Sequence, residues 1–280
     1  MPQPETPAPD PAPGVITLGR AGKKTTIGGR TRVIVPLTGD AASLRSQVAA
    51  LASSRADIAE WRADTFLASL VGSHFVAAAD IQSELTSAAR YVTDASPVPV
   101  LATIRTFVEG GSAYLDDEEY CALVRCLAPL VGAVDVEISR DGAASLIEDA
   151  HGAGALAVAS FHDFEATPSD EVLAEVLAAM NHAGADVLKF ACTATSATDA
   201  ARVLAAQAWA REAYDRPIIG IAMGPAGAPT RLVGSALGSS ATFACLPGWA
   251  GSAPGQFTVE QARAVLDVVE GAGLGARGAE

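Results

Sequence analysis

The stretch that decides the fold runs from Ala155 to Ala191. It reads Ala155-Leu156-Ala157-Val158-Ala159-Ser160, then a polar connection, then Ser169–Asn181 with helical period, then Val187-Leu188-Lys189-Phe190-Ala191. Two short apolar runs with a helix between them form a strand–helix–strand unit, which joins parallel strands. The same rhythm extends in both directions. Strand-like runs fall at Val33–Leu37, Asp57–Arg62, Val98–Ile104, Ala133–Ile138, Ala155–Ser160, Val187–Ala191, Ile218–Ala222 and Ser240–Cys245. Helical stretches lie between them, among them Ala41–Ser53, Ser73–Tyr91, Glu118–Leu130 and Ala197–Tyr214, and Val259–Glu270 follows the last run. The runs are apolar throughout instead of alternating, as expected of strands covered on both faces. Eight such units in about 250 residues predict an α/β fold, a closed (β/α)8 TIM barrel. A doubly wound open sheet is the competing arrangement, and it usually carries a glycine-rich phosphate loop after its first strand. Here that strand is followed by Thr38-Gly39-Asp40, which is no such loop.

The flanks are simpler. Val15–Ile27 reads as two short strands around Gly19–Gly22, a β-hairpin placed to cap the bottom of the barrel. Residues 1–14 are mostly proline, alanine and acidic residues and predict a disordered tail. Residues 273–280 read as a frayed end, which leaves 15–272 as a single catalytic domain. Half of the 280 residues are hydrophobic, ample for one large core. The formal net charge of −13 argues against nucleic acid as a partner, because phosphate binding needs a basic surface. No apolar stretch approaches the roughly 18 residues of a membrane span, and a signal pattern is absent, so the expected location is cytoplasmic. Cys121, Cys126, Cys192 and Cys245 form no C-x-x-C pair and no zinc-ligand spacing with a histidine, so they read as reduced, mostly buried thiols with no metal.

A barrel builds its active site at the C-terminal ends of its strands. Glu60-Trp61-Arg62-Ala63-Asp64 stands at the end of the second run, Arg105 at the third, Glu137 in the fourth, His162-Asp163 after the fifth and Lys189 in the sixth. Arg231 follows the seventh, and Ser252 and Gln256 follow the eighth. Charged residues rarely sit in apolar strands unless paired or functional. A ring of salt bridges closing the barrel mouth accounts for Asp64 and Glu137. It accounts less well for a lysine and a histidine on adjacent strands.

Lys189 is singular because the chain has three lysines against sixteen arginines, and Lys23 and Lys24 belong to the hairpin. Lysine can lose its proton and act as an amine nucleophile, whereas arginine cannot. The apolar neighbours of Lys189 favour the neutral amine, and Arg62 and Arg105 on the rim favour it further. The alternative is a buried ion pair with Glu137. His162 follows a strand end, and a histidine can take and return a proton near neutral pH. His74, His151 and His182 fall in helices or loops and read as incidental. After Arg105, Glu109-Gly110-Gly111 either folds Glu109 back to hold the imidazole or forms a surface turn. Arg231, in the loop Gly224–Arg231, suits a bidentate grip on a carboxylate, with Ser252 and Gln256 beside it.

Taken together, these segments resemble type I 3-dehydroquinase. The pieces are Glu60-Trp61-Arg62-Ala63-Asp64, Arg105 with Glu109-Gly110-Gly111, Ser160-Phe161-His162-Asp163-Phe164 with Thr167-Pro168, Lys189, Arg231, and Ser252-Ala253-Pro254-Gly255-Gln256, spread from Val33 to Val269. The resemblance implies a barrel lyase, usually a homodimer, that needs no metal or organic cofactor. Its small-molecule substrate would be 3-dehydroquinate, dehydrated to 3-dehydroshikimate. Lys189 would form an imine with the ketone, and His162 would take the adjacent proton and return one to the departing hydroxyl. Glu109 would orient His162. Arg231, Ser252 and Gln256 would hold the carboxylate, and Glu60, Arg62 and Arg105 the ring hydroxyls. Three departures concern the pocket wall. Pro36 stands where family members often present a serine; Phe190-Ala191-Cys192-Thr193-Ala194 replaces a common Met-Pro pair; and only Met223 remains of the methionines on the seventh strand. An imine-forming aldolase would share Lys189 but would not need the His162 motif or the Ser252–Gln256 loop. A non-catalytic sensor of quinate-like ligands would be marked by loss of Lys189 or His162, and both are present.

Overall fold

Successive side chains on a β-strand point to opposite faces. On the strands of this chain, one of the two faces carries the chemistry. The structure, a computed structural model, describes residues 14–20, 22–73, 78–253 and 255–274. The proline-rich stretch up to residue 13, His74 and residues 275–280 lie outside it.

A hairpin of β1 (Ile16–Arg20) and β2 (Lys23–Ile27) comes first. Eight strands then follow in parallel and in sequential order: β3 (Arg32–Leu37), β4 (Ile58–Arg62), β5 (Val100–Thr103), β6 (Ala133–Glu137), β7 (Leu156–Asp163), β8 (Val187–Thr193), β9 (Ile218–Met223) and β10 (Ala241–Cys245). Strand β10 pairs with β3, and a two-residue strand β11 (Phe257–Thr258) adds to β10. The gap between β9 and β10 is bridged without a full ladder. Ile218 pairs with Ser239, Ser240 N donates to Ile218 O at 2.8 Å, and Ile218 N donates to Ser240 Oγ at 3.1 Å. Hydroxyl and backbone bonds thus complete the (β/α)8 TIM barrel predicted from the sequence.

The inward face of each strand begins apolar. Ile34, Ile58, Leu101, Ala133, Val158, Val187, Ile219 and Ala241 form one buried cluster, which Leu18 and Ile27 of the hairpin join. Arg20 adds bonds to the carbonyls of Pro129 and Ala153. The hairpin therefore plugs the N-terminal end, and the opposite end is left for the site. The outward faces pack under the helices in a second, larger core that includes Val33, Ala59, Trp61, Val136, Leu188 and Phe190.

The helices are α1 (Ala41–Leu51), α2 (Ala63–Ser73), α3 (Ala78–Ala95), α4 (Asp117–Leu127), α5 (Ala143–Gly152), α6 (Asp170–His182), α7 (Ala197–Ala213) and α8 (Val259–Leu274). Asp40, Asp116, Ser169 and Ser196 accept backbone bonds at the starts of α1, α4, α6 and α7, which fixes where each strand-to-helix loop ends. The sequence predicts one helix from Ser73 between β4 and β5, whereas the described residues there form two. Helix α2 starts directly after Arg62, with Asp64 in its first turn and Phe66, Leu67 and Leu70 on its apolar side. Strand β7 also runs past its apolar segment, because the ladder to β8 continues through His162↔Ala191 and Asp163↔Cys192. His162 thus lies within a strand, not beyond it. Pro36 sits inside β3, where the missing N–H costs no ladder bond. Even-numbered residues of β3 face β10, as the bond from Arg32 N to Ser240 O shows, and that ladder ends at Ile34↔Phe243.

Candidate active site

Above the apolar layer, inward positions of β4 to β8 turn polar. They are Glu60 and Arg62 on β4, Thr103 on β5, Asp135 and Glu137 on β6, Ser160 and His162 on β7, and Lys189 on β8. Each lies an even number of residues from an apolar member of the barrel interior, so the strand period alone aims it inward. A cleft of about 500 Å³ opens at this end, counting the solvent at its mouth. Glu60, Arg62, Arg105, Glu109, His162, Lys189, Arg231, Ser252 and Gln256 all line it. Ala191, Ile221, Met223 and Phe243 provide its apolar wall.

Lys189 is only 4 % exposed. Its Nζ lies 3.3 Å from Asp135 Oδ2 and 3.8 Å from Glu60 Oε1, and 4.9 Å from the centre of the Phe243 ring. The sequence surrounds this amine with apolar groups and cations and offers Glu137 as the alternative partner. Instead, Asp135 and Glu60 pair with it. Glu137 is occupied elsewhere: it accepts from Arg105 Nη1 at 3.0 Å, from Arg140 Nε at 3.2 Å, and from Thr106 N and Oγ1 at 2.8 and 2.7 Å. Asp64 likewise takes both prongs of Arg62, each at 2.8 Å. Asp64 and Glu137 are the salt-bridge members of the rim, as the sequence suggests.

Glu109 is folded back over the barrel, not left on a surface turn. It ends a short 3-10 turn, Phe107–Glu109, and Gly110 follows in the left-handed region at φ 76°. A Cβ at Gly110 would fall 2.3 Å from the Phe164 ring, so this bend is open to glycine alone. Glu137 clamps the base of the loop through Thr106. The result puts Glu109 Oε2 2.8 Å from His162 Nδ1 and 3.1 Å from Arg105 Nη1, while Ser139 Oγ donates to Oε1 at 2.8 Å. With Nδ1 donating to the carboxylate, Nε2 is left as the basic nitrogen of the ring.

Burial, together with the nearby cations of Arg105, Lys189 and Arg62, holds the His162 imidazole well below its ordinary titration range. The ring is therefore neutral and ready to accept a proton. Burial pushes the Glu109 carboxyl up to about 7, against the pull of Arg105. Burial would raise Asp135 too, but Arg105 and Lys189 outweigh it and hold that carboxyl below its usual range. Arg231 is desolvated as well, and its guanidinium is pushed down to about 10. Beside it, Ser252 N donates to Gln256 Oε1 at 3.0 Å and Gln256 Nε2 to Ser252 Oγ at 3.1 Å, which shapes the loop over the cleft.

Arg105 lines the cleft, yet its two terminal nitrogens donate inward, to Glu109, Glu137 and Ser160 from Nη1 and to Asp135 from Nη2. Asp135, Thr103 and Ser160 are not among the residues singled out from the sequence. Their signal is a polar side chain at an inward position of an apolar strand. His151, by contrast, pairs with Asp186 at 2.7 Å on the surface.

Fold and cleft together define an α/β-barrel enzyme that sets an amine and a carboxylate-held imidazole on adjacent strands. Comparison with known proteins makes the class specific. Residues 33–272 match the family model for type I 3-dehydroquinase. The 3-dehydroquinate dehydratase of Klebsiella pneumoniae (strain 342) is 35% identical over 247 residues, 86% of this chain and 94% of its own. Among solved structures, 3-dehydroquinate dehydratase from Geobacillus kaustophilus HTA426 superposes with a TM-score of 0.82 at 29% identity, over 92% of this chain and 97% of that one. The type I 3-dehydroquinate dehydratase of Clostridium difficile, solved with covalently modified comenic acid, gives 0.77 at 30% identity, over 92% and 98%. The chain belongs to the type I 3-dehydroquinase family.

Proposed function

We propose that this chain dehydrates 3-dehydroquinate to 3-dehydroshikimate in the shikimate pathway, through an imine on Lys189 and without metal or organic cofactor. The observation that carries the reading is the pairing of His162 Nδ1 with Glu109 Oε2 at 2.8 Å in the same cleft as the barrel's lone interior lysine. Lys189 attacks the C3 ketone, and loss of water leaves a protonated imine. That imine draws electrons from the adjacent carbon, so the C2 proton becomes acidic. His162, neutral and steadied by Glu109, takes this proton through Nε2. The enamine then expels the C1 hydroxyl, which leaves as water with the proton that His162 returns. Hydrolysis of the remaining imine frees the conjugated product and the lysine. Arg231, with Ser252 and Gln256, holds the carboxylate of the substrate, and Glu60 and Arg62 meet its hydroxyls. Arg105 edges the cleft and fixes Glu109 and Asp135. Residues 15–272 act as one catalytic domain, and the family likeness supports a cytoplasmic homodimer. No helix among the described residues is long and apolar enough to cross a membrane.

The test is ultraviolet absorbance with 3-dehydroquinate, with a parallel sample quenched by borohydride and mapped by peptide mass spectrometry. A rising conjugated-enone signal with an adduct on Lys189 is the expected result. Absence of both overturns the reading.

A further inference from the structure

Beneath the cleft lies a carboxylate that the reaction as written does not use. Asp135 is fully buried, does not line the cleft, and reaches Lys189 from below. Its Oδ1 accepts from Arg105 Nη2 and from Ser160 Oγ, both at 2.6 Å, and its Oδ2 faces Lys189 Nζ at 3.3 Å. Arg105 then donates from Nη1 to the Glu109 oxygen that holds His162. One unbroken run of polar contacts therefore links the amine to the imidazole under the floor of the site.

We propose that Asp135 is the positioning residue of the imine step: it aims Nζ of Lys189 into the cleft and stays in place as the counter-ion of the iminium. The inference rests on the imine reading given above. The charge balance favours it. An ammonium and a ketone become an iminium and one water. The C=O bond breaks, a C=N bond forms, and the oxygen leaves with two of the three nitrogen protons. Nitrogen bears one positive charge at the start and at the end. A mobile counter-ion would have to be exchanged as substrate covers the cleft, whereas a buried one need not move. Two hydrogen bonds, one of them from the Arg105 guanidinium, keep Asp135 still, so its field costs no reorganisation during the reaction. Glu60 also reaches Nζ, but from farther away and from the lining of the cleft, where a substrate hydroxyl competes for it.

The experiment compares borohydride trapping and turnover in wild type, D135N and E137Q, each with its unfolding temperature recorded. Glu137 grips the same Arg105 at 3.0 Å but has no contact with Lys189 among the described residues, so it reports on anchoring alone. In D135N the rate of adduct formation on Lys189 should fall on the order of 10²-fold, the scale of losing one fixed charge partner at a reacting centre. E137Q should form adduct at close to the wild-type rate, whatever its turnover. If D135N traps as fast as E137Q, Asp135 merely anchors Arg105 and the proposal falls, while the imine reading stands. If wild type itself forms no adduct, both fall. Should D135N fail to fold, D135E against E137D decides the matter, since both keep their charge. Slower trapping in D135E alone supports the proposal, and equal rates overturn it.

Discussion

Replacing Glu109 with glutamine separates what this side chain does for the fold from what it does for the chemistry. A free glutamate titrates near 4.5, and burial pushes Glu109 up to about 7. Between those values the folded chain keeps a proton that the unfolded chain has released. Stability therefore falls as pH rises through that window, and the deficit is complete above about pH 7. Each tenfold difference in proton affinity is worth about 1.4 kcal/mol, so the ionised carboxylate costs the fold on the order of 3 kcal/mol at pH 8. Glutamine is close in shape and never ionises. The stability of E109Q relative to wild type should therefore grow by about 3 kcal/mol between pH 4 and pH 8. For a chain of this size that is a relative rise of roughly 6–12 °C in unfolding temperature. Titrating groups remote from Glu109 are common to both proteins and cancel in the difference. Activity should move the opposite way. The ionised carboxylate is what accepts from His162 Nδ1, so wild-type kcat/KM should climb as pH passes about 7, and E109Q should lose both that climb and most of its rate. Calorimetry and initial rates on the same two samples test both halves. Parallel curves of unfolding temperature against pH would refute the buried-carboxylate argument. An intact climb near neutral pH in E109Q would refute its role in holding the imidazole.

Four further outcomes follow from the same geometry. Lys189→Ala should abolish turnover while 3-dehydroquinate still binds by titration calorimetry; an unchanged rate would remove the imine. His162→Ala should still form the borohydride adduct but lose on the order of 10²–10⁴ in kcat, and near-normal activity would call for another base. Gly110→Ala forces a side chain into the left-handed region and against the Phe164 ring, which should cost about 1–3 kcal/mol of stability and lower kcat by displacing Glu109; a silent substitution would mean the turn is not fixed by Phe164. Arg231→Ala should raise KM far more than it lowers kcat, because binding of the substrate carboxylate precedes the chemistry, and a loss confined to kcat would place Arg231 at the reacting atoms instead.

How much of this was legible in the sequence depends on what carried each feature. The barrel was legible because its strands, covered on both faces, are continuous apolar runs that recur with helices between them. Lys189 was legible as the lone lysine in such a run. Helix α2 was not, because its apolar residues follow Arg62 with no turn between, and the stretch reads as the rim of a strand. Asp135 was missed for a different reason. It stands two residues before Glu137 in the same strand and looks no different from it, yet one faces Lys189 and the other closes a loop. The distinction depends on register with residues more than 20 positions away, which no local pattern encodes. A rule of alternation does recover part of it. Stepping by two from the apolar interior of β4 to β8 reaches Glu60, Arg62, Thr103, Asp135, Glu137, Ser160, His162 and Lys189, so the polar floor can be drawn once the strands are known. The rule stops where the strands stop. Glu109 is delivered by the left-handed Gly110, and Arg231, Ser252 and Gln256 come from loops beyond β9 and β10. The polar floor and the apolar wall are thus set by strand periodicity, and the polar rim by loop geometry. It follows that removing a buried floor group such as Asp135 should change rate with little change in affinity, and removing a loop group that grips the substrate, such as Arg231, the reverse, which the contrast between D135N and R231A measures directly.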